Sequence, residues 1–428
     1  MRKRISIILP LVLAAAAVIA AAVFLASPKA ALFFLNETTA APAVITDCPA
    51  TAALTAEPDK TEQTTQTTAE TAAQTTGAMT AASQPAEETF RPIAEADIIQ
   101  MGDTADGTIT LGFTGDINLD ETWKSGPMQY CKKSKSGIRG FIKPDLIKKM
   151  NDADILFVNN EFTYSTRGDE QLEKAYTFRA DPKNVEILKT LGVDVVSIAN
   201  NHIYDFRKAA MADTISTLKK ADIACVGGGE NLAEAMKPAY FRINGKIIAY
   251  VAASCTLWYY RTPAAAGENT MGVLDAFGND CIKAIKEAAA NSDYVVVYLH
   301  WGNDYQNRVN SEQITCAKKY IDAGADAVIG AHPHVLQGMD YYKGKFIAYS
   351  LGNFWFNIKD CQTGFLELVI DQSGKIEPCF TPCRQVGSKT YIETDMVKRR
   401  ATLKLIEDYS PSRNIVIHDN GVVEKTNQ

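Results

Sequence analysis

The sequence predicts an α/β protein built around a mixed sheet, and three features support this fold class. From residue 108 onward, short apolar runs of strand length alternate with segments of helical spacing. The apolar runs are mostly continuous, which is typical of strands covered by helices. An Asn-Gly pair at 244–245 lies between two such runs and predicts a hairpin, so at least one strand pair is antiparallel.

The first half of this region contains four predicted strands and three predicted helices. The strands are apolar runs at 108–114, 154–159, 194–198 and 223–226. The helices are predicted at 144–150, 182–191 and 207–220. Helix 182–191 has a clear start signal, because Asp181 can cap it and Pro182 suits its first position.

The second half continues the same alternation. After the hairpin strands at 239–243 and 246–253, helices are predicted at 281–290 and 312–323, and strands at 294–299, 327–330, 346–350 and 365–370. No polar linker interrupts residues 108–375, which are therefore predicted to form one domain. The pattern weakens after Ile376, so residues 376–428 are predicted to be a C-terminal extension.

Residues 1–30 are predicted to be a membrane anchor. Arg2, Lys3 and Arg4 precede an uncharged apolar run of 22 residues at 5–26. A helix of that length crosses a hydrocarbon layer of roughly 30 Å. The cations favour a cytoplasmic N-terminus, so we expect a single-pass protein of the cell membrane with its folded domain outside the cytoplasm. The alternative is a cleaved signal peptide, whose apolar core is usually only about 7–15 residues.

Residues 31–107 are predicted to be a disordered, acidic stalk rich in Thr and Ala. Residues 37–107 contain twelve acidic and two basic residues, and such a segment buries too little apolar surface to offset the entropy of folding. Residues 108–428 contain equal numbers of acidic and basic residues. The folded part therefore gives no reason to expect nucleic-acid binding, which needs a cationic surface.

The nine cysteines do not suggest a disulfide framework or a zinc motif, because their number is odd and no C-x-x-C pair occurs. Cys225, Cys255, Cys281 and Cys316 lie in apolar stretches and are predicted to be buried. Cys379 and Cys383 could form a local disulfide in an oxidising exterior, or both could remain free thiols.

Polar side chains of metal-binding type follow several of the predicted strands. In chain order they are Asp116, Glu161, Asn200, Asn201, His202, His300, His332 and His334. Ligand sites of α/β sheets lie outside the carboxyl ends of the strands, so we expect these side chains to converge on one edge.

This combination of imidazoles, carboxylates and amides predicts a divalent-metal site of the Mn, Zn or Fe type. The donors exceed the four that a single tetrahedral ion needs, so two ions are expected. Two neighbouring ions would activate water and hold a phosphoryl oxygen, which predicts metal-assisted hydrolysis. No recognisable nucleophile elbow or P-loop offers a different chemistry.

These residues also have structural interpretations. A single histidine is more often a hydrogen-bonded core or surface residue than a metal ligand. Asp116 could belong to a turn, Glu161 could cap a helix, and Asn200-Asn201 could form a turn. His332 and His334 point more specifically to a metal site. Alternate residues of an extended segment share a face, so both rings can point to one cluster. The conjunction favours the metal site.

Six motifs resemble those of the CapA family, named for poly-γ-glutamate capsule synthesis. They are GDINL (115–119), NNE (159–161), ANNHIYDF (199–206), HWGNDY (300–305), GAHPHVLQG (330–338) and YSLGNFWF (349–356). They occur in the family's order and span about residues 108–372. That family is similar to the calcineurin-like metallophosphoesterases, so the resemblance implies a four-layer α/β/β/α sandwich.

The resemblance also implies roles for individual residues. The metal ligands would be Asp116, Glu161, Asn201, His300, His332 and His334. Glu161 would bridge both ions. His202 would be the general acid that protonates the leaving oxygen, and Asp205 would orient its ring.

Three positions depart from the expected motifs. Asn118 stands where the wider superfamily has a histidine, which removes one imidazole from the first ion. Asn160 replaces a leucine, and Asp304 replaces a glutamate. Asp304 could orient His300, accept a hydrogen bond from substrate, or simply be a loop acid.

Further residues near the same edge are candidates for contact with substrate or for support of the ligands. They are Asn118, Asn159, Asn200, Trp301, Asp304 and Asn353. Aromatic residues there, which could stack on a polymer chain, also include Trp258, Tyr259, Tyr260, Tyr305 and Trp355.

Two functions of different classes follow. The first is an anchored extracytoplasmic metal-dependent hydrolase that acts on a phosphoester or a cell-surface polymer, in the setting of a capsule-synthesis membrane complex. The second is a non-catalytic scaffold that binds or exports the polymer with the same pocket. The Asn201-His202 pair favours the enzyme, whereas Asn118 favours the scaffold.

Overall fold

The computed structural model describes residues 90–256 and 265–426. The described residues all belong to one compact unit, 89–428. The predicted anchor at 1–30 and most of the predicted stalk lie outside the described residues. Within the described ranges, no helix combines the length and apolar character that a membrane crossing requires.

The strands of the described residues are short and numerous. In chain order they are β1 Ile98–Gln100, β2 Ile109–Ile117, β3 Ile155–Asn160, β4 Thr163–Tyr164, β5 Arg179–Ala180, β6 Val195–Ser197, β7 Ala224–Val226, β8 Gly228–Gly229, β9 Ala239–Ile243, β10 Lys246–Ser254, β11 Gly272–Val273, β12 Tyr294–His300, β13 Ala327–Ala331, β14 Met339–Tyr342, β15 Lys345–Ala348, β16 Asn353–Trp355, β17 Cys361–Ile370, β18 Ile376–Val386, β19 Lys389–Ile392, β20 Ile415–Ile417 and β21 Val423–Lys425.

The helices lie between these strands. They are α1 Met128–Cys131, α2 Pro144–Asn151, α3 Val185–Thr190, α4 Arg207–Lys220, α5 Leu232–Met236, α6 Asn279–Asn291, α7 Ser311–Asp322 and α8 Met396–Tyr409, with 3-10 turns at Glu95–Asp97, Gly137–Gly140 and Pro182–Asn184. The side chain of Asp181 accepts a hydrogen bond from the backbone N–H of Lys183, as its predicted capping role requires.

Two large sheets contain most of the strands, and the predicted mixed α/β class is confirmed. The first sheet has the order β1-β9-β10-β12-β13-β15-β14, and the second has the order β19-β18-β17-β2-β3-β6-β7 with β16 beside β2. β9 and β10 form the predicted antiparallel hairpin. Its turn residues Asn244 and Gly245 both adopt the left-handed conformation (φ 52° and 72°) that such a turn requires.

The hydrophobic core separates into two layers on either side of the first sheet. Along β12, Val296 and Tyr298 pack into the core shared with the second sheet, whereas Val295 and Val297 pack toward α6 and α7. The Tyr298 ring stacks on Phe157 of the second sheet with centroids 4.5 Å apart. Both faces of β12 are therefore buried, which explains its continuous apolar sequence.

Two predicted boundaries differ from the structure. The stalk was expected to be disordered through residue 107, but Ile98–Gln100 pairs with Tyr240–Arg242 as an edge strand of the first sheet. The weaker pattern after Ile376 predicts that residues 376–428 are an extension of the domain. In the structure, Ile376–Val386 pairs along most of its length with β17. In both cases the adjacent strand supplies hydrogen-bond partners that short or interrupted apolar patterns do not reveal.

Cys379 and Cys383 do not form a disulfide, because both lie on the extended strand β18. The two residues are four positions apart on β18 and both are free. At a rise of about 3.3 Å per residue their Cα atoms lie roughly 13 Å apart, whereas a disulfide needs about 4.4–6.8 Å. Cys255, Cys281 and Cys316 are buried as predicted, and Cys225 is half-buried.

Candidate metal centre

The strand ends of both sheets bring the predicted site residues together. In the second sheet, Asp116 lies at the end of β2, Glu161 follows β3, and Asn201 follows β6. In the first sheet, His300 ends β12 and pairs in register with Ala331 at the end of β13, which His332 follows. Because neighbouring strands in each group are parallel, their carboxyl ends lie at the same edge of the sheet.

Two groups of donors at these strand ends have the spacing that a metal ion needs. One consists of Glu161, His300 and His332, and the other of Asp116, Glu161 and His334; within each group the ligand atoms lie within 4.8 Å of one another. Glu161 belongs to both groups. The arrangement can therefore hold a divalent ion, with one carboxylate available to a second.

The state of Glu161 shows that these residues fit a cation. Its side chain is fully buried, and among the described residues its Oε1 atom has no hydrogen-bond partner. Burial, together with the nearby charge of Asp116, raises the pKa of Glu161 well above its usual value. A buried carboxylate oxygen without a donor is costly, and a divalent cation would compensate it.

Asn201 and His300 face the same point as Glu161. The Nε2 atom of His300 lies 2.8 Å from Oδ1 of Asn201 and 3.7 Å from Oε1 of Glu161. Burial lowers the pKa of His300 well below its usual value, so the ring is neutral. A neutral imidazole is the form that binds metal.

Asn159 fixes the two carboxylates relative to each other. Its Nδ2 atom donates to Oδ1 of Asp116 at 2.8 Å and to Oε2 of Glu161 at 3.3 Å, and lies 3.3 Å from Nδ1 of His300. Asn200 in turn donates to Oδ1 of Asn159 at 3.2 Å and accepts from the backbone N–H of His202 at 3.1 Å. Asn159 thus holds the proposed ligands Asp116 and Glu161 by hydrogen bonds, and Asn200 holds Asn159.

His334 reaches the other side of the cluster. Its Nδ1 atom lies 3.2 Å from Oδ2 of Asp116 and 2.8 Å from Oδ1 of Asn353. The prediction that His332 and His334 meet because they alternate along a strand is wrong, since β13 ends at Ala331 and both histidines have positive φ (97° and 60°). It is this turn, and not strand alternation, that directs the two rings to the cluster.

His202 and Asp205 form the pair that the motif implies. Nδ1 of His202 lies 2.6 Å from Oδ2 of Asp205, and Nε2 lies 4.0 Å from Oε1 of Glu161. Burial lowers the pKa of His202 to about 4, although the Asp205 charge opposes this shift. The ring is therefore neutral near pH 7, with Nδ1–H directed to Asp205.

The supporting residues predicted at the edge occupy different places. Trp301 is fully buried and its Nε1–H donates to the carbonyl of Tyr349, so the predicted contact of its ring with substrate is wrong, whereas support of the neighbouring His300 stays a prediction. Trp355 is buried as well. Asp304, for which contact with His300, contact with substrate and a plain loop position were all left open, lies 3.3 Å from Nε2 of His332. Trp258, Tyr259 and Tyr260 lie outside the described residues.

Asn118, the position where a histidine would be expected, uses its amide oxygen in a hydrogen bond to the backbone. Its Oδ1 accepts from the backbone N–H of Asp120 at 2.8 Å, and within the described part of the chain its buried Nδ2 has no hydrogen-bond partner. The adjacent strand residue Asn160 donates through Nδ2 to the carbonyl of Phe162 at 2.9 Å. Neither amide replaces the missing imidazole.

Sequence reasoning missed three residues that contact the histidines. The ring of Phe178 lies 4.3 Å from His202, the ring of Phe356 lies 4.6 Å from His334, and the Lys174 ammonium lies 3.5 Å from Nδ1 of His202. Lys174 and Phe178 come from a loop without a distinctive pattern. Phe356 was contained in the motif YSLGNFWF, which was the available signal.

Comparison with known proteins identifies one matching family and relatives that carry the same family's name. Residues 110–358 match the family described as "Bacterial capsule synthesis protein PGA_cap". The chain is 34% identical over 257 residues to the "PGA biosynthesis protein CapA" of Bacillus subtilis (59% of this chain, 64% of that one). It is 32% identical over 251 residues to the "Capsule biosynthesis protein CapA" of Bacillus anthracis (56% and 60%). The matches thus span less than two thirds of these relatives' lengths.

A solved structure, that of a hypothetical protein from Thermus thermophilus, aligns with 64% of this chain and 98% of its own. The TM-score is 0.39 at 15% identity, which is too low to establish a shared fold.

Proposed function

The chain belongs to the family of bacterial capsule synthesis proteins that its residues 110–358 match, and from this premise we propose that it acts in the synthesis of a cell-surface polymer of the poly-γ-glutamate type. The names of the two Bacillus relatives support this proposal. In the same proposal, residues 1–30 anchor the chain in the cell membrane as a single pass. The folded domain would then work outside the cytoplasm beside a capsule-synthesis membrane complex.

The reaction that we propose is metal-dependent hydrolysis of a phosphoester or a related polymer linkage. The observation that carries this proposal is the pair of donor groups that share Glu161, with the His202-Asp205 pair next to them. The packing of two sheets with α6 and α7 outside the first of them agrees with a four-layer α/β/β/α sandwich of the metallophosphoesterase type.

Each group of the chain has a defined task in this proposal. Divalent ions of the Mn, Zn or Fe type would supply Lewis acidity and activate water for in-line attack. Their ligands would be Asp116, Glu161, Asn201, His300, His332 and His334, with Asn159 and Asn200 keeping the ligands in place.

His202 would transfer the proton to the leaving oxygen. Asp205 holds the Nδ1–H and leaves Nε2 on the side of Glu161. The pKa of His202 is lowered to about 4 despite the Asp205 charge, so the ring needs a further anion near Nε2 to become an imidazolium. A phosphoester bound beside Nε2 would raise this pKa and favour the protonated, proton-donating form.

The second candidate function is a scaffold that binds or exports the polymer without turnover. Asn118 favours the scaffold, because it replaces a histidine that would bind metal beside Asp116. Its amide oxygen accepts a hydrogen bond from the backbone of Asp120 instead.

Metal analysis combined with turnover separates these candidates. The full-length chain is reconstituted with Mn, Zn or Fe(II), its metal content is measured, and hydrolysis of an aryl phosphate is followed for wild type and His202→Ala. His418→Ala is the matched control, because His418 is the histidine of the C-terminal hairpin and pairs with Glu424. The hydrolase proposal expects bound metal and a loss of turnover only in His202→Ala.

Bound metal without His202-dependent turnover would favour the scaffold. Failure to bind metal after reconstitution would contradict the metal centre itself.

A further inference from the structure

The loop between β4 and β5, residues 165–178, packs against the His202-Asp205 pair. The backbone N–H of Gln171 donates to the Asp205 carbonyl at 2.9 Å, and the backbone N–H of Phe178 donates to the Asp205 carboxylate at 2.7 Å. The Phe178 ring packs on His202. This loop therefore determines where the pair sits, and its residue Lys174 brings a charge to it.

The Lys174 ammonium contacts three polar groups of the segment 201–205. It donates to Oδ1 of Asp205 at 2.5 Å and to the carbonyl oxygen of Asn201 at 2.6 Å, and lies 3.5 Å from Nδ1 of His202. Its side chain is only 11% exposed. An ammonium has three N–H donors and no acceptor, so two of the three are used on this short segment.

The contact between Lys174 and His202 is not a hydrogen bond. Nδ1 of His202 lies 2.6 Å from Oδ2 of Asp205. A hydrogen bond to a carboxylate needs the proton on Nδ1, and a nitrogen that carries a proton cannot accept another. Lys174 and His202 thus donate to the two different oxygens of Asp205. The Asp205 carboxylate is therefore held between the ammonium and the imidazole ring.

The same ammonium also constrains a proposed metal ligand. Its hydrogen bond to the Asn201 carbonyl holds the backbone of the residue whose side chain faces His300 at 2.8 Å. The Asp205 side chain is fully buried, and a buried carboxylate is costly unless donors compensate it. Lys174 supplies the cationic donor.

We propose that Lys174 is a positioning residue of this site: it sets the tautomer of His202 through Asp205 and the placement of Asn201 through its carbonyl. The kinetic consequence rests on the proposed hydrolase function. The effect on the tautomer of His202 does not rest on that function, because the tautomer is a property of the metal-free chain.

The first test is the histidine spectrum of the metal-free, full-length chain labelled with 15N-histidine. The chain has only five histidines, and the His202 signals are assigned by their loss in His202→Gln. Wild type should show a hydrogen-bonded Nδ1–H proton in slow exchange with water. Lys174→Met, which keeps the aliphatic stem, should lose or shift this signal, whereas Lys174→Arg should retain it.

Lys183→Met is the matched control. It removes an exposed lysine that pairs with Asp181 at 2.9 Å, and should leave the His202 signal as in wild type. An unchanged His202 signal in folded Lys174→Met would overturn the proposal. If Lys174→Met does not fold, Lys174→Gln replaces it and is judged by the same criterion.

Turnover of an aryl phosphate by the reconstituted chain is the second readout. Lys174→Met should lower kcat by about 10–100-fold with KM changed little, and Lys174→Arg should recover most of the loss. No turnover in wild type would count against the hydrolase alone, and the spectrum would still decide the role of Lys174. Equal kcat in wild type and Lys174→Met would overturn that role.

Discussion

The Oδ1 atom of Asn201 lies 2.8 Å from Nε2 of His300, although His300 ends a strand of one sheet and Asn201 follows a strand of the other. Glu161 Oε1 belongs to the same cluster and lies 3.7 Å from Nε2. Two neutral donors and a buried carboxylate that face one point are the surroundings that a divalent ion requires. The contact between Asn201 and His300 thus links the two sheets at the proposed metal.

Asn201→Leu should weaken metal binding, because it removes the amide oxygen and keeps a similar volume. We expect the dissociation constant of Mn or Zn to rise by about 10–100-fold, measured by competition with a chelating dye. Asn420→Ala, in the C-terminal hairpin, is the control and should bind as wild type. Equal affinities in wild type and Asn201→Leu would remove Asn201 from the ligand set.

Much of this cluster could be predicted from sequence, because strand ends of parallel sheets share an edge and the motifs mark those ends. The hairpin at Asn244-Gly245 was predictable for a similar reason, since its turn chemistry is local. The fully buried position of Trp301 was not. Its neighbours come from β13 and from residue 349, and no local pattern shows that a residue beside a site histidine turns into the core.

The role of the loop at 165–178 was hidden for another physical reason. Lys174 lies among acidic residues in a polar segment, and such a segment usually faces solvent. Its burial depends on Asp205, thirty-one positions later in the chain. Contacts over such separations are set by tertiary packing, which single-residue patterns do not encode.

Glu161→Gln should separate metal binding from the stability of the metal-free chain. Burial and Asp116 raise the pKa of Glu161, so its charge opposes folding when no cation is present. The neutral amide should raise the free energy of unfolding of the metal-free chain by about 1–3 kcal/mol and abolish the stabilisation by added metal. Denaturant unfolding with and without metal measures both. A variant that is still stabilised by metal as strongly as wild type would contradict the bridging role.

Gly115→Ala should disturb the site through the backbone. A Cβ at Gly115 would overlap the carbonyl oxygen of Gly352, which accepts the backbone N–H of Asp116 at 2.9 Å. We expect a loss of stability of about 1–3 kcal/mol, together with weaker metal binding because Asp116 must move. Gly102→Ala is the matched control, since a Cβ there meets nothing within 4 Å. Similar melting temperatures for the two variants would show that β16 yields without cost.

Tyr176→Ala tests whether the aromatic residues beside His202 form a surface for substrate. Tyr176 is 46% exposed, and its ring lies 5.8 Å from Trp123, which in turn lies 4.9 Å from Phe178 on His202. These rings lead from the surface to the proposed acid, and an exposed ring contributes about 0.5–1.5 kcal/mol of stacking. If the chain hydrolyses a surface polymer, KM for polymer fragments should rise by roughly 2–12-fold, with kcat unchanged.

Tyr130→Ala controls for the loss of an exposed tyrosine, because Tyr130 is 49% exposed in helix α1 and is not among these rings. A small aryl phosphate, which is too short to reach Tyr176, should be turned over with the same KM by both variants and by wild type. A rise in KM for the aryl phosphate as well would show that the substitution disturbs His202 through Phe178. Unchanged KM for both substrates would exclude Tyr176 from the binding surface.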